Sequence, residues 1–143
     1  MDAEHARMMM DTMYKAKRVW EQQPELPEGV TAGEIHILDC LVHLTMEKET
    51  VRVSDLSDAL GLPRPGVTRM VKDLEEMGYI RKEPDSGDRR IVHLSLTEKG
   101  GTLYEKYVSR HFERITSVLK TVSDEDIEKI SAIVGEIYEK LYE

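Results

Sequence analysis

The chain has 143 residues, 40% hydrophobic and 34% charged, the balance of one soluble globular domain with a single core. A formal net charge of −8 argues against a protein that coats nucleic acid indiscriminately. No run approaches the roughly 18 apolar residues of a membrane span. Met1-Asp2-Ala3-Glu4-His5 lacks the basic-then-apolar order of a signal peptide, and the single cysteine, Cys40, excludes an intramolecular disulfide or a four-thiolate zinc site. A cytoplasmic protein held by packing, with no membrane association and no cofactor, is expected.

The first predicted element runs from Ala3 to Gln22, with Met9, Met13, Ala16 and Trp20 on one helical face. Pro24 and Pro27 end it, and Thr31 with Glu34 three residues later is a capping-box signal for a second helix over Thr31 to Thr45. Val51-Arg52-Val53 reads as a short strand. Ser54 caps a brief helix that ends at Leu60-Gly61, and a third helical pattern runs from Arg64 to Met77, closed by Gly78. Two runs of strand character follow, Tyr79 to Glu83 and Ile91 to Leu96, joined by the turn-forming segment Pro84-Asp85-Ser86-Gly87-Asp88-Arg89-Arg90. Helix resumes after Thr97 to about Lys120, and a last helix starts at Ser123, with Asp124, Glu125 and Asp126 suiting its positive end. The order is α-α-β-α-α-β-β-α-α, a mainly α (α+β) fold.

Charge is distributed unevenly along this order. Residues 1–50 carry 5 basic and 10 acidic side chains, residues 51–100 carry 9 and 9, and residues 101–143 carry 6 and 9. The neutral middle contains Arg64, Arg69 and Lys72 in a stretch without an acid, and Arg89 beside Arg90. A local surface suited to a polyanion is therefore expected there.

A short helix, a glycine-containing turn and a longer helix form the pattern of a helix-turn-helix, whose second helix enters the major groove of DNA. At about 100° per residue, Val67, Met70, Val71 and Leu74 fall on one side of that helix, and Pro65, Arg69, Lys72 and Glu76 on the other. Arg69 is placed for a bidentate contact to guanine, Thr68 for a base edge or phosphate, and Arg64 and Lys72 for phosphates. An arginine pair at a hairpin tip suits the narrow minor groove, as a wing would. The competing reading is that these cations solvate an ordinary surface.

The stretch Asp88-Arg89-Arg90-Ile91-Val92-His93-Leu94-Ser95-Leu96-Thr97-Glu98-Lys99-Gly100 resembles the wing signature of MarR-type winged helix-turn-helix regulators. The likeness extends through Val53-Ser54-Asp55-Leu56-Ser57-Asp58-Ala59-Leu60-Gly61-Leu62, Val67-Thr68-Arg69 and Leu74-Glu75-Glu76-Met77-Gly78-Tyr79-Ile80, and with the flanking helices covers almost the whole chain. It implies that Asp88 and Arg90 hold the wing tip together and reach the minor groove. Pro63-Arg64-Pro65-Gly66 departs from the pattern, because relatives often begin this helix with serine or threonine, so base preference need not follow theirs.

The resemblance also implies a homodimer in a single domain of residues 1–143, with residues 1–45 and 98–143 as the dimerisation region and 51–97 as the DNA-binding module. Ile127, Ile130, Ile133, Val134, Ile137, Tyr138 and Leu141 form a broad apolar stripe that needs a cover. Such proteins bind double-stranded DNA at a pseudo-palindromic operator, generally as repressors, and often release it on binding a small aromatic effector. Met8, Met9, Met10, Met13 and Trp20 could line an adaptable pocket, although a Met-rich helical face is more often core.

A zinc-responsive regulator of the same fold is an alternative. His36, Cys40, His43 and Glu47 share one face of the second helix, and His36 and His111 sit near positions that zinc-sensing relatives use, but Tyr107 stands where a further histidine would be wanted. Cys40 has no basic neighbour to activate it, so packing is its expected role rather than redox sensing. The chain contains no phosphate-binding glycine loop, no HExxH and no Gly-x-Ser-x-Gly, so enzymatic activity is not expected. The remaining alternative is a winged-helix module for protein contacts, without DNA binding.

Overall fold

A computed structural model describes residues 1–22 and 24–142 of the chain. Its elements are α1 (Ala3–Glu21), α2 (Ala32–Glu47), α3 (Val53–Leu60), α4 (Arg64–Glu76), β1 (Ile80–Pro84), β2 (Val92–Leu96), α5 (Glu98–Tyr104), a π-helical turn (Glu105–Ser109), α6 (Arg110–Val118) and α7 (Asp124–Tyr142). Residues 1–109 form one compact unit and residues 110–143 another.

Local chemistry sets the helix ends. Thr31 Oγ1 accepts the Glu34 amide at 3.2 Å and the Glu34 carboxylate accepts the Thr31 amide at 3.1 Å, so the expected capping box opens α2. Both α3 and α4 close with a Schellman arrangement. At α3 the Leu62 amide donates to the Ser57 carbonyl around Gly61, whose φ is +62°. At α4 the Tyr79 amide donates to the Leu74 carbonyl around Gly78, whose φ is +83°. Left-handed φ at these two positions is why glycine stands there.

The strand expected at Val51-Arg52-Val53 does not form. The Asp55 carboxylate accepts the Arg52 amide at 2.9 Å and the Asp55 amide donates to the Arg52 carbonyl, which winds the chain into α3 from Val53. Ser54 therefore lies inside the first turn instead of capping it. Val51 retains one sheet-like bond, its carbonyl accepting the Leu94 amide at 2.8 Å beside β2. β1 and β2 pair antiparallel, with Ile80 opposite Leu96 and Glu83 opposite His93.

The core of the first unit is the inward face of α2 (Ile37, Leu38, Leu41), Leu56 of α3, the stripe Val67, Val71 and Leu74 of α4, and Ile80 and Leu94 of the hairpin. Burying each such side chain contributes about 1.5–3 kcal/mol, which makes this contact set the main stabilising term. The helix expected from Thr97 to about Lys120 is interrupted by the π turn, while Thr97 caps its start by accepting the Gly100 amide at 3.0 Å.

The terminal helices differ from this core. Among its described residues α1 buries none, and Met8, Met10 and Trp20 are exposed, so its Met-rich face is not core within one chain. In the second unit Ser123 caps α7, its hydroxyl accepting the Asp126 amide at 3.2 Å. Its stripe of Ile127, Ile130, Ile133, Val134, Tyr138 and Leu141 lies open to solvent.

Candidate nucleic-acid interface

The α3–α4 turn is fixed from both sides. Ser57 Oγ donates to the Leu62 carbonyl at 2.6 Å, which adds to the backbone bond between the same residues and leaves α4 to start two residues later. Val67, Val71 and Leu74 are fully buried, and this fixes the roll of α4 about its axis. Pro65, Arg69 and Lys72 then fall on the exposed side, as the helical spacing predicts, and Arg64 and Thr68 are exposed as well. Lys72 Nζ lies 3.8 Å from a Glu76 carboxylate oxygen, a loose surface pair that a phosphate could displace.

Pro63 precedes α4 and offers no side-chain oxygen as a cap; its carbonyl accepts the Gly66 and Val67 amides instead. Pro65, in the first turn, has no amide hydrogen to satisfy. A Cβ built on Gly66 would meet nothing within 4 Å, so neither packing nor backbone geometry in the chain demands glycine there.

The wing has an internal skeleton of carboxylates. Asp88 accepts three bonds from Arg90, from its amide at 3.0 Å, Nε at 3.1 Å and Nη2 at 3.0 Å. The Asp88 carboxyl accordingly titrates below the usual carboxylate range, chiefly through the Arg90 side chain. The guanidinium is held at the tip while 91% of its side-chain surface faces solvent. Arg89 beside it is exposed.

Asp85 and His93 were not singled out by sequence reasoning. Asp85 Oδ2 accepts the Gly87 and Asp88 amides, each at 2.9 Å, and Oδ1 lies 2.7 Å from His93 Nε2. These bonds, led by the one from His93, depress the Asp85 pKa to about 2. The Pro84-Asp85-Ser86-Gly87 string carried half of this signal, because aspartate before Ser-Gly favours a turn in which its carboxylate takes amides two and three residues on. Nothing local in sequence marks His93 as the partner across the hairpin.

Below the wing, Thr97-Glu98-Lys99-Gly100 forms a clasp on the end of α4. Thr97 Oγ1 donates to the Gly78 carbonyl at 2.5 Å and Lys99 Nζ to the Met77 carbonyl at 2.7 Å, with the same ammonium 4.6 Å from the centre of the Tyr79 ring. The segment thus locks hairpin to helix and fixes where wing and α4 stand relative to each other.

The candidate metal-binding side chains have other company. His36 sets its ring edge-on to Trp20 at 5.8 Å, and His43 Nε2 lies 3.3 Å from Asp39 Oδ1, which also accepts from the Tyr104 hydroxyl at 3.3 Å. Cys40 is partly buried against the core, and burial followed by the Asp39 charge raises its thiol pKa, the opposite of activation. His111 lies in the second unit, ring to ring with Phe112 at 6.3 Å. No group of three or more His, Cys, Asp or Glu side chains among the described residues is arranged to hold a metal ion. No helix among them is long and apolar enough to cross a membrane.

A helix-turn-helix with a basic outer face, clasped to an arginine-tipped hairpin, defines a winged-helix regulator. Residues 37–91 match the model of the MarR family. The transcriptional repressor MprA of Escherichia coli K12 is 29% identical over 122 residues, covering 83% of this chain and 69% of that protein. The regulator PecS of Dickeya dadantii is 31% identical over 88 residues, covering 62% of this chain and 53% of that protein. FabT of Streptococcus pneumoniae, solved in complex with DNA, superposes with a TM-score of 0.67 at 23% identity over 99% of this chain and 98% of that one. The chain is thus similar to the MarR family of winged helix-turn-helix transcriptional regulators, in its middle segment by the family model and over most of its length by relatives such as MprA. The regulatory character of these relatives agrees with the expectation that the chain is not an enzyme.

Proposed function

We propose that the protein is a repressor that binds a pseudo-palindromic operator as a homodimer, with Arg69 and Thr68 of α4 facing base edges, Arg64, Pro65 and Lys72 lying along the backbone, and Arg90 with Arg89 in the minor groove. The observation that carries this reading is the roll of α4: burial of Val67, Val71 and Leu74 turns Thr68, Arg69 and Lys72 outward together, with Arg64 exposed at the helix start. Asp88 supports it by holding the Arg90 guanidinium at the wing tip. Relatives named as repressors, MprA among them, favour repression over activation.

Dimerisation is supported by the exposed apolar faces of α1 and α7. Isoleucines at this density on one helix stay in water only at a cost of roughly 25 cal/mol per Å², which a second copy would remove. In this reading residues 1–45 and 98–143 pair the subunits and residues 51–97 read DNA. The family precedent for a small aromatic effector extends to this chain as a working expectation, with the Met-bearing side of α1 as its first place to look.

The test is a mobility-shift titration against the DNA upstream of the protein's own gene. Replacing Arg69 and Arg90 together by alanine should abolish sequence-specific binding while leaving the circular dichroism spectrum and the dimer intact. Undiminished affinity in that double variant would refute the assigned roles.

A further inference from the structure

We propose that Asp85 and His93 form a latch across the neck of the wing that presets Arg90 for DNA, so that His93 is a positioning residue for DNA binding. This rests on the DNA-reading role of the wing proposed above. The connection is a continuous relay of hydrogen bonds. His93 Nε2 lies 2.7 Å from Asp85 Oδ1, and Asp85 Oδ2 takes the amides of Gly87 and Asp88 at 2.9 Å. The Asp88 carboxylate then takes the amide, Nε and Nη2 of Arg90.

One end of the relay is anchored in the sheet. His93 pairs with Glu83 across the hairpin and precedes Leu94, a buried residue whose amide is held by the Val51 carbonyl. The other end is the exposed guanidinium. Between them lies a polar loop with a glycine, which on composition alone would sample many conformations.

The imidazole at position 93 is not explained by packing. Its Nδ1 is buried without a hydrogen-bond partner among the described residues, an arrangement that disfavours a polar ring unless another bond compensates. The compensating bond is the one to Asp85. An ionised carboxylate can only accept, so Nε2 carries the hydrogen that faces it. A leucine would fill the space as well and would leave the loop untied.

The test compares His93→Leu with His93→Gln, whose amide can still donate to Asp85. His93→Leu should weaken binding to the upstream DNA by about tenfold, because the loop must then be ordered during association, whereas His93→Gln should stay within about twofold of wild type. In parallel, the Gly87 and Asp88 amide protons, followed by NMR in the free protein, should exchange faster in His93→Leu and not in His93→Gln. Wild-type affinity in His93→Leu, or equal weakening in both variants, would overturn the proposal, as would unchanged amide exchange. Should His93→Leu misfold, Asp85→Ala serves instead, with the same loss of affinity and protection expected and the same overturning results. Failure of the wild type to bind DNA would sink the DNA reading itself, while the amide exchange would still report on the latch.

Discussion

The α-carbon of Gly100 rests against the backbone of Tyr79: a Cβ added at residue 100 would lie 2.0 Å from the Tyr79 carbonyl oxygen. That carbonyl also accepts the Thr97 amide at 3.1 Å, so it cannot retreat without loosening the clasp on α4. Gly100→Ala should therefore cost about 4 kcal/mol or more, in the range reserved for backbone collisions and core defects. Gly101→Ala, one residue on, meets nothing within 4 Å in the same helix and should gain about 0.5–1 kcal/mol. Thermal unfolding of the two variants should move in opposite directions, and a neutral Gly100→Ala would mean the close approach is wrong.

Gly66 offers the same contrast on the face proposed to read DNA. Alanine there has open space and a better helix propensity, so Gly66→Ala should raise stability by about 0.5–1 kcal/mol. The added methyl lies on the first turn of α4, near Arg69, and should lower affinity for the operator despite the firmer fold. A chemical denaturation curve and a DNA titration on one preparation separate the two effects; a variant less stable than wild type would contradict the open environment of residue 66.

Acid should release the wing before it unfolds the core. The Asp85 pKa falls to about 2 in the folded chain, below its value in an unfolded one. A depressed carboxylate stabilises above its unfolded pKa, and the contribution is lost as pH falls towards the folded value. Between about pH 4 and pH 2, then, protonation should free the Gly87 and Asp88 amides, while Leu94 stays protected. Asp85→Ala, which removes the acceptor and the charge together, should show raised exchange at those two amides at neutral pH, with little further change on acidification.

Ile130, at mid-helix in α7, is 55% exposed in the single chain. Ile130→Asp should leave the helical signal of the protein largely intact and shift its sedimentation from dimer to monomer, because a buried unpaired carboxylate opposes association. Loss of dimer should carry loss of operator binding, since two weak half-site contacts act together only while joined. A dimeric Ile130→Asp would place the subunit contact elsewhere.

At the start of α2, Thr31→Ala should cost about 1 kcal/mol, read as a lower denaturation midpoint, through loss of the capping box. Retained stability would show that Glu34 alone suffices.

Legibility in the sequence followed the range of the interactions. The capping box at Thr31, the glycine stops at positions 61 and 78 and the inward stripe of α4 all lie within a few residues and could be read from spacing, while the Asp88–Arg90 pair was implied by the resemblance of the wing signature. Val51–Val53 was misread as a strand because β-branched residues mark strands on average, whereas here the Asp55 carboxylate on the Arg52 amide decides for helix. His93 was invisible because its partner is eight residues away across a turn. The exposure of Met8, Met10 and Trp20 was misjudged because a helical face reads as core whether its cover comes from the same chain or from another.

The π turn of residues 105–109 bears on how the helix after the wing should be read. Leu103 and Val108 are both buried although five residues apart, a spacing that in an α-helix would turn them about 140° away from each other. Bonding from i to i+5 brings them back onto one side. The segment therefore holds one residue more than its inward stripe needs, and the apolar beat resumes a step late beyond it. Shortening the turn by that residue would leave the chain chemically almost unchanged and yet put Val108 out of phase with Leu103.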